Sequence, residues 1–92
     1  MDKKLLTEAL KTKNTVTFFY ADWCGGCKVA RPMVQEVIDK LEFELILINE
    51  DTDLETAFGV DYYPHVILSS KGKIKHYPGL HSIKELYESI IS

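Results

Sequence analysis

The stretch Thr15-Val16-Thr17-Phe18-Phe19-Tyr20-Ala21-Asp22-Trp23-Cys24-Gly25-Gly26-Cys27-Lys28 decides how the rest of the chain is read. Its first six residues are β-branched or aromatic, the composition of a pleated, half-buried strand. Ala21 to Gly26 makes a loop. A helix follows, in which Ala30, Met33, Val34, Val37, Ile38 and Leu41 recur at spacings of three and four, a buried helical stripe. Pro32 falls inside that helix, where it removes a backbone hydrogen bond and is expected to kink the axis. Two cysteines, Cys24 and Cys27, therefore sit three apart where a strand turns into a helix. Thiols at that spacing can close a small disulfide ring across the first helical turn. The partial positive charge at the helix N-terminus stabilises a thiolate on Cys24, which is read as solvent-facing and as the attacking nucleophile. Cys27, deeper in the helix, is read as the thiol that attacks the resulting mixed disulfide and releases the substrate.

Working outward, Asp2 can cap a first helix that runs to about Thr12, with Leu5, Leu6, Ala9 and Leu10 on one side. Phe43 to Ile48 is apolar on both faces apart from Glu44, as expected of a strand covered by helices on each side. Thr52-Asp53-Leu54-Glu55 has capping-box spacing and starts a short helix that ends at Gly59. Pro64 to Leu68 is a third strand, and Ser70-Lys71-Gly72 turns the chain into a fourth, Lys73 to Tyr77, whose lysines suit a sheet edge. Ser82-Ile83-Lys84-Glu85 is a second capping box. It opens a last helix with Ile83, Leu86, Tyr87, Ile90 and Ile91 inward. The order α-β-α-β-α-β-β-α predicts a mixed α/β layer structure: parallel strands joined by helices and closed by a hairpin.

With 92 residues, 46% of them hydrophobic and 27% charged, the chain reads as one small domain spanning residues 1–92. A net charge of −3 without a run of Lys and Arg argues against nucleic acid as a partner. No apolar stretch approaches the ~20 residues of a bilayer span, so no membrane association is expected. Basic residues open the chain but no apolar segment follows them, so no signal peptide is read, and a cytoplasmic location is expected. Two cysteines are too few to staple a secreted mini-domain. The plain alternative is a pair of incidental thiols or half a zinc site. The 48 residues between Cys27 and His76 far exceed the ~12–15 of a zinc finger, so His76 and His81 are read as surface histidines and no metal site is expected. Trp23, directly before the nucleophile, reads as a wall of a substrate surface. Tyr62 and Tyr63 read equally well as groove or core. His65 reads as a plain strand histidine, and Asp22 and Lys28 as solvated charges with a modest field effect on Cys24.

The chain resembles the thioredoxin family over nearly its whole length. The family signature Trp-Cys-Gly-Pro-Cys-Lys after a hydrophobic strand is matched by Trp23-Cys24-Gly25-Gly26-Cys27-Lys28. Pro32, five residues past Cys27, matches the family's helix proline, Pro64 its cis-proline facing the disulfide, and Gly79 its groove glycine. The resemblance implies a thioredoxin-like fold and a redox-active Cys24–Cys27 disulfide that reduces protein disulfides as a monomer and without a bound cofactor. It also implies a substrate site formed by Trp23, Gly25, Gly26, Tyr63, Pro64 and Gly79, with a cis Tyr63–Pro64 bond. An upstream reductase of the thioredoxin-reductase kind would recharge the dithiol. Three departures stand out. Gly26 replaces the proline between the cysteines, Phe18 stands where the family buries an aspartate behind the resolving thiol, and Leu45 stands where many members pair a lysine with that aspartate. The chain is also short at its front, so the family's first edge strand is expected to be missing, leaving a mixed four-stranded sheet flanked by four helices. The alternatives are a glutaredoxin-like or more oxidising exchanger, or a non-catalytic binding or metal-cluster module on the same fold.

Overall fold

A computed structural model describes residues 1–92. The elements are α1 (Lys3–Thr12), β1 (Asn14–Tyr20), α2 (Gly25–Leu41), β2 (Glu44–Asn49), α3 (Thr52–Phe58), β3 (His65–Ser70), β4 (Lys73–Pro78) and α4 (Gly79–Ile91). The sheet has four strands in the order β2-β1-β3-β4. β1 runs parallel to β2, with Phe18 opposite Leu47, and antiparallel to β3, with Phe18 opposite Val66. β3 and β4 form the closing hairpin. This is the mixed four-stranded sheet with four helices that the sequence predicts.

Two side-chain sets alternate along β1 and build a core on each face of the sheet. Val16 and Phe18 meet Ala30, Val34 and Val37 of α2, with Ile83 and Leu86 of α4. Phe19 joins Leu6, Ala9 and Leu10 of α1, Leu54 of α3, and Ile46, Ile48 and Ile67 of the sheet. β1 is therefore covered on both sides, which fixes its C-terminal end and the loop that carries the cysteines. The β3–β4 turn also ties down the end of α1. Backbone N–H groups of Gly72 and Lys71 donate to the carbonyls of Leu10 (3.0 Å) and Lys13 (3.1 Å), and the Ser69 hydroxyl donates to Leu10 as well. Free carbonyls at a helix end thereby find partners. No helix is long and apolar enough to cross a membrane.

Four local expectations need correction. β2 is an edge strand with β1 as its single neighbour, so burial alternates along it and Leu47 is exposed although the run from Leu45 to Ile48 is apolar throughout. Leu5 lies outside the α1 stripe and is exposed, because Leu6, Ala9 and Leu10 already fill the face toward the sheet. Asp51, not Thr52, caps α3, accepting the Leu54 N–H at 3.1 Å, and the Glu55 side chain bonds elsewhere. α4 starts at Gly79, a turn before the Ser82 box. A tertiary bond from Gly79 N–H to the Pro64 carbonyl (2.8 Å) anchors that start where no side-chain cap is present.

Candidate active site

Asp2 caps α1 through its side chain, and at the start of α2 a sulfur occupies the corresponding position. Cys24 is the N-cap of α2, extended at φ −86° and ψ 109°, and its Sγ accepts the backbone N–H of Cys27 at 3.1 Å. Its own N–H donates to the Ala21 carbonyl at 3.2 Å, which closes the loop behind β1. One of the four unpartnered N–H groups of the helix start is thus aimed at Cys24 Sγ, at the positive end of the helix dipole. Both effects favour the thiolate over the thiol. Cys24 and Cys27 are joined in a disulfide, with Cα atoms 5.2 Å apart. Solvent exposure hardly separates them, at 8% for Cys24 and 3% for Cys27, which corrects the reading that Cys24 faces solvent. What separates them is the N-cap hydrogen bond, which only Cys24 receives.

The residues expected to form a substrate site are brought together around this disulfide. The Tyr63–Pro64 peptide bond is cis. A Cβ on Gly26 would stand 3.4 Å from Pro64 Cδ, in van der Waals contact, so the helix start and the proline lie side by side. Around Gly25, between the cysteines in sequence, a Cβ would meet nothing within 4 Å. Gly79 has φ +80°, a conformation that favours glycine, and a Cβ there would stand 3.7 Å from the Tyr62 ring. Trp23 is 72% exposed and meets the Tyr63 ring edge-to-face, with centroids 5.8 Å apart. Tyr63 is half-buried and packs against both cores, while Tyr62 is exposed. The Tyr63 hydroxyl donates to Glu55 Oε2. Burial first, and then that hydrogen bond to a carboxylate, push the phenol up to about 12.

Behind Cys27 lies a cavity of about 360 Å³ lined by Phe18, Tyr20, Asp22, Lys28, Arg31 and Pro32. Phe18 is 1% exposed and stacks on Tyr20 with ring centroids 5.6 Å apart. The deep wall of this cavity, which Cys27 also lines, is therefore aromatic, and its charged rim carries two cations and one carboxylate. Glu44 is no substitute base, because it sits at the far end of β2, ion-paired with Lys13 at 3.7 Å.

Two pairings escaped the sequence reading. His65, directly after Pro64, is 3% exposed, and its Nε2 lies 2.8 Å from Nδ1 of His76 on β4. His65 Nδ1 is buried without a partner. A bare lone pair there costs less than a bare N–H, which assigns Nε2–H as donor and His76 Nδ1 as acceptor. Burial first, and then the neighbouring His76, lower His65 to about 4. The hairpin register sets His76 opposite Ile67, diagonal to His65, and period-two alternation combined with that register would have found the pair. The Glu55–Tyr63 bond left no signal in the sequence beyond a capping box that reads the other way. His81 is exposed and lies 2.9 Å from Glu85.

A disulfide at a helix N-cap, with a cis-proline beside the first turn of that helix and an exposed tryptophan next to the first cysteine, defines a thiol–disulfide oxidoreductase. Comparison with known proteins agrees. The thioredoxin family model matches residues 2–92. Thioredoxin from Rickettsia bellii is 30% identical over 95 residues, covering 97% of this chain and 90% of its own. Thioredoxin from Mycoplasma pneumoniae is 31% identical over 77 residues, covering 79% and 76%. Among solved structures, a mutant thioredoxin from Halobacterium salinarum superposes with a TM-score of 0.78 at 26% identity, over 98% of this chain and 83% of its own. The chain belongs to the thioredoxin family.

Proposed function

We propose that this thiol–disulfide oxidoreductase works as a reductant of protein disulfides, with Cys24 attacking and Cys27 resolving. The observation that carries this reading is the Cys27 N–H aimed at Cys24 Sγ at the start of α2. In the reduced protein the Cys24 thiolate attacks one sulfur of a substrate disulfide. That S–S bond breaks, and the departing substrate thiolate takes up a proton. The Cys27 thiol then loses its proton and attacks Cys24 Sγ. The mixed disulfide breaks, the second substrate thiol leaves, and the Cys24–Cys27 disulfide remains. Two electrons and two protons pass to the substrate. The cysteine pair stores both electrons, so no bound cofactor enters the scheme.

Trp23, Gly25, Gly26, Tyr63, Pro64 and Gly79 form the groove for an extended substrate segment. Open space at Gly25 supports this, as do the approach of Pro64 to the Gly26 position and the exposed indole next to Cys24. A dithiol that must stay reduced between turnovers suits the cytoplasm and an upstream thioredoxin-reductase-like donor. The test is brief treatment of the reduced protein with limiting iodoacetamide, mapped by mass spectrometry, alongside substrate trapping with Cys27→Ser. Predominant labelling of Cys24 and stable mixed disulfides on Cys24 are expected. Predominant labelling of Cys27 would overturn the assignment.

A further inference from the structure

Glu55 lies on α3, outside the residues gathered around the disulfide, yet its side chain reaches the residue that precedes the cis-proline. Its backbone is held at both ends. Glu55 N–H donates to the Asp51 carbonyl at 2.9 Å, and its own carbonyl accepts from Gly59 N–H and from Val60 N–H at 2.8 Å. The carboxylate therefore projects from a fixed turn onto the Tyr63 hydroxyl. The Tyr63 ring is in turn the aromatic partner of Trp23, whose indole is largely in solvent. An exposed indole with one ring neighbour is only as well placed as that neighbour.

We infer that Glu55 is a positioning residue of the substrate groove: through the Tyr63 hydroxyl it fixes the Tyr63 ring, and through that ring the Trp23 indole beside Cys24. The inference rests on the groove reading given above. A hydrogen bond to an ionised carboxylate is stronger than one between neutral groups, so glutamine at this position should hold the ring less firmly, and alanine not at all. Glu55 is too far along the chain of contacts to touch the reacting sulfurs. Its loss should weaken engagement of a protein substrate without slowing attack on a disulfide too small to use the groove.

The experiment uses the full chain, with Glu55→Ala, Glu55→Gln, Tyr63→Phe and the Glu55→Ala/Tyr63→Phe double variant. Trp23 is the only tryptophan, so its time-resolved fluorescence anisotropy in the reduced protein reports on one side chain. Faster local motion of the indole is expected in Glu55→Ala and Tyr63→Phe, no more in the double variant than in either single one, and an intermediate effect in Glu55→Gln. With insulin as a protein disulfide, Glu55→Ala should raise KM about three- to tenfold at nearly constant kcat. Its rate with dithiobis(nitrobenzoate), a small aromatic disulfide, should match that of the parent. Unchanged anisotropy in Glu55→Ala overturns the inference, as do additive effects in the double variant or an equal loss toward both disulfides. If the parent protein reduces the small disulfide but not insulin, the groove reading fails, and the anisotropy still decides whether Glu55 places Trp23.

Discussion

Lowering the pH from neutral toward 4 should unload a specific part of this protein's stability through His65. The ring is 3% exposed, bonded by Nε2 to His76, and carries a partnerless Nδ1. Burial, with His76 as the second cause, takes it from an ordinary 6.5 to about 4, and Asp61 is the one group pulling the other way. Between those values the unfolded chain binds a proton that the folded chain refuses, so the unfolded state gains with each step toward acid. The contribution is fully present above pH 6.5 and falls by up to about 1.36 kcal/mol per unit below it. It levels off below about 4, where both states carry the proton. Over the whole interval the loss is on the order of 3 kcal/mol, a large share of the roughly 5–15 kcal/mol that holds a small domain folded. The assay is urea unfolding of the oxidised protein at a series of pH values from 7.5 to 3.5, run beside His65→Gln. Carboxylates titrate in the same window but are common to both proteins, so they cancel in the difference. The parent should lose more stability than His65→Gln as the pH falls, with the gap opening between 6.5 and 4. Parallel curves would refute the argument, showing that a proton on His65 is accommodated in the folded protein.

Two further outcomes follow from the wall and the turn beside the cysteines. Phe18→Asp would place a carboxylate behind Cys27, in the cavity that Lys28 and Arg31 also line. It should speed decay of the mixed disulfide near neutral pH in stopped-flow measurements, while losing a buried aromatic ring should cost about 3–5 kcal/mol of stability. Unchanged or slower decay in a folded variant would show that Phe18 does not occupy the place of a missing base. Gly26→Pro removes freedom from the unfolded chain at the second helical residue of α2, where no helical partner for the N–H exists, so urea unfolding should show a gain of about 0.4–1 kcal/mol. A loss instead would mean that the space beside Pro64, where a Cβ at position 26 would stand 3.4 Å from its Cδ, is too tight for a ring.

The elements around the site were legible because each rests on a local rule. The β-branched and aromatic run from Thr15 to Tyr20, the helical stripe from Ala30 to Leu41, the αL glycine at Gly59 and the lysines of β4 act within a few residues of themselves. The cysteine spacing belongs to the same kind, since a thiol at an N-cap needs nothing but the turn that follows it.

Tertiary structure decided wherever one group had two possible partners. The Glu55 carboxylate could have turned back on its own helix start, but the chain brings the Tyr63 hydroxyl within reach, and Asp51 supplies the cap. α4 begins at Gly79 because the Pro64 carbonyl across the sheet accepts its N–H, before the Ser82 box can act. β2 is apolar enough for a central strand, yet its place at the edge exposes Leu47, since burial depends on which strands lie alongside. His65 and His76 meet only through the register of a hairpin. Nor does local sequence say which distant residue comes to lie beside the start of α2, where Pro64 approaches the Gly26 position. A strand or helix is selected by its own side chains, but hydrogen-bond partners and burial are selected by competition among groups that only the folded chain brings together.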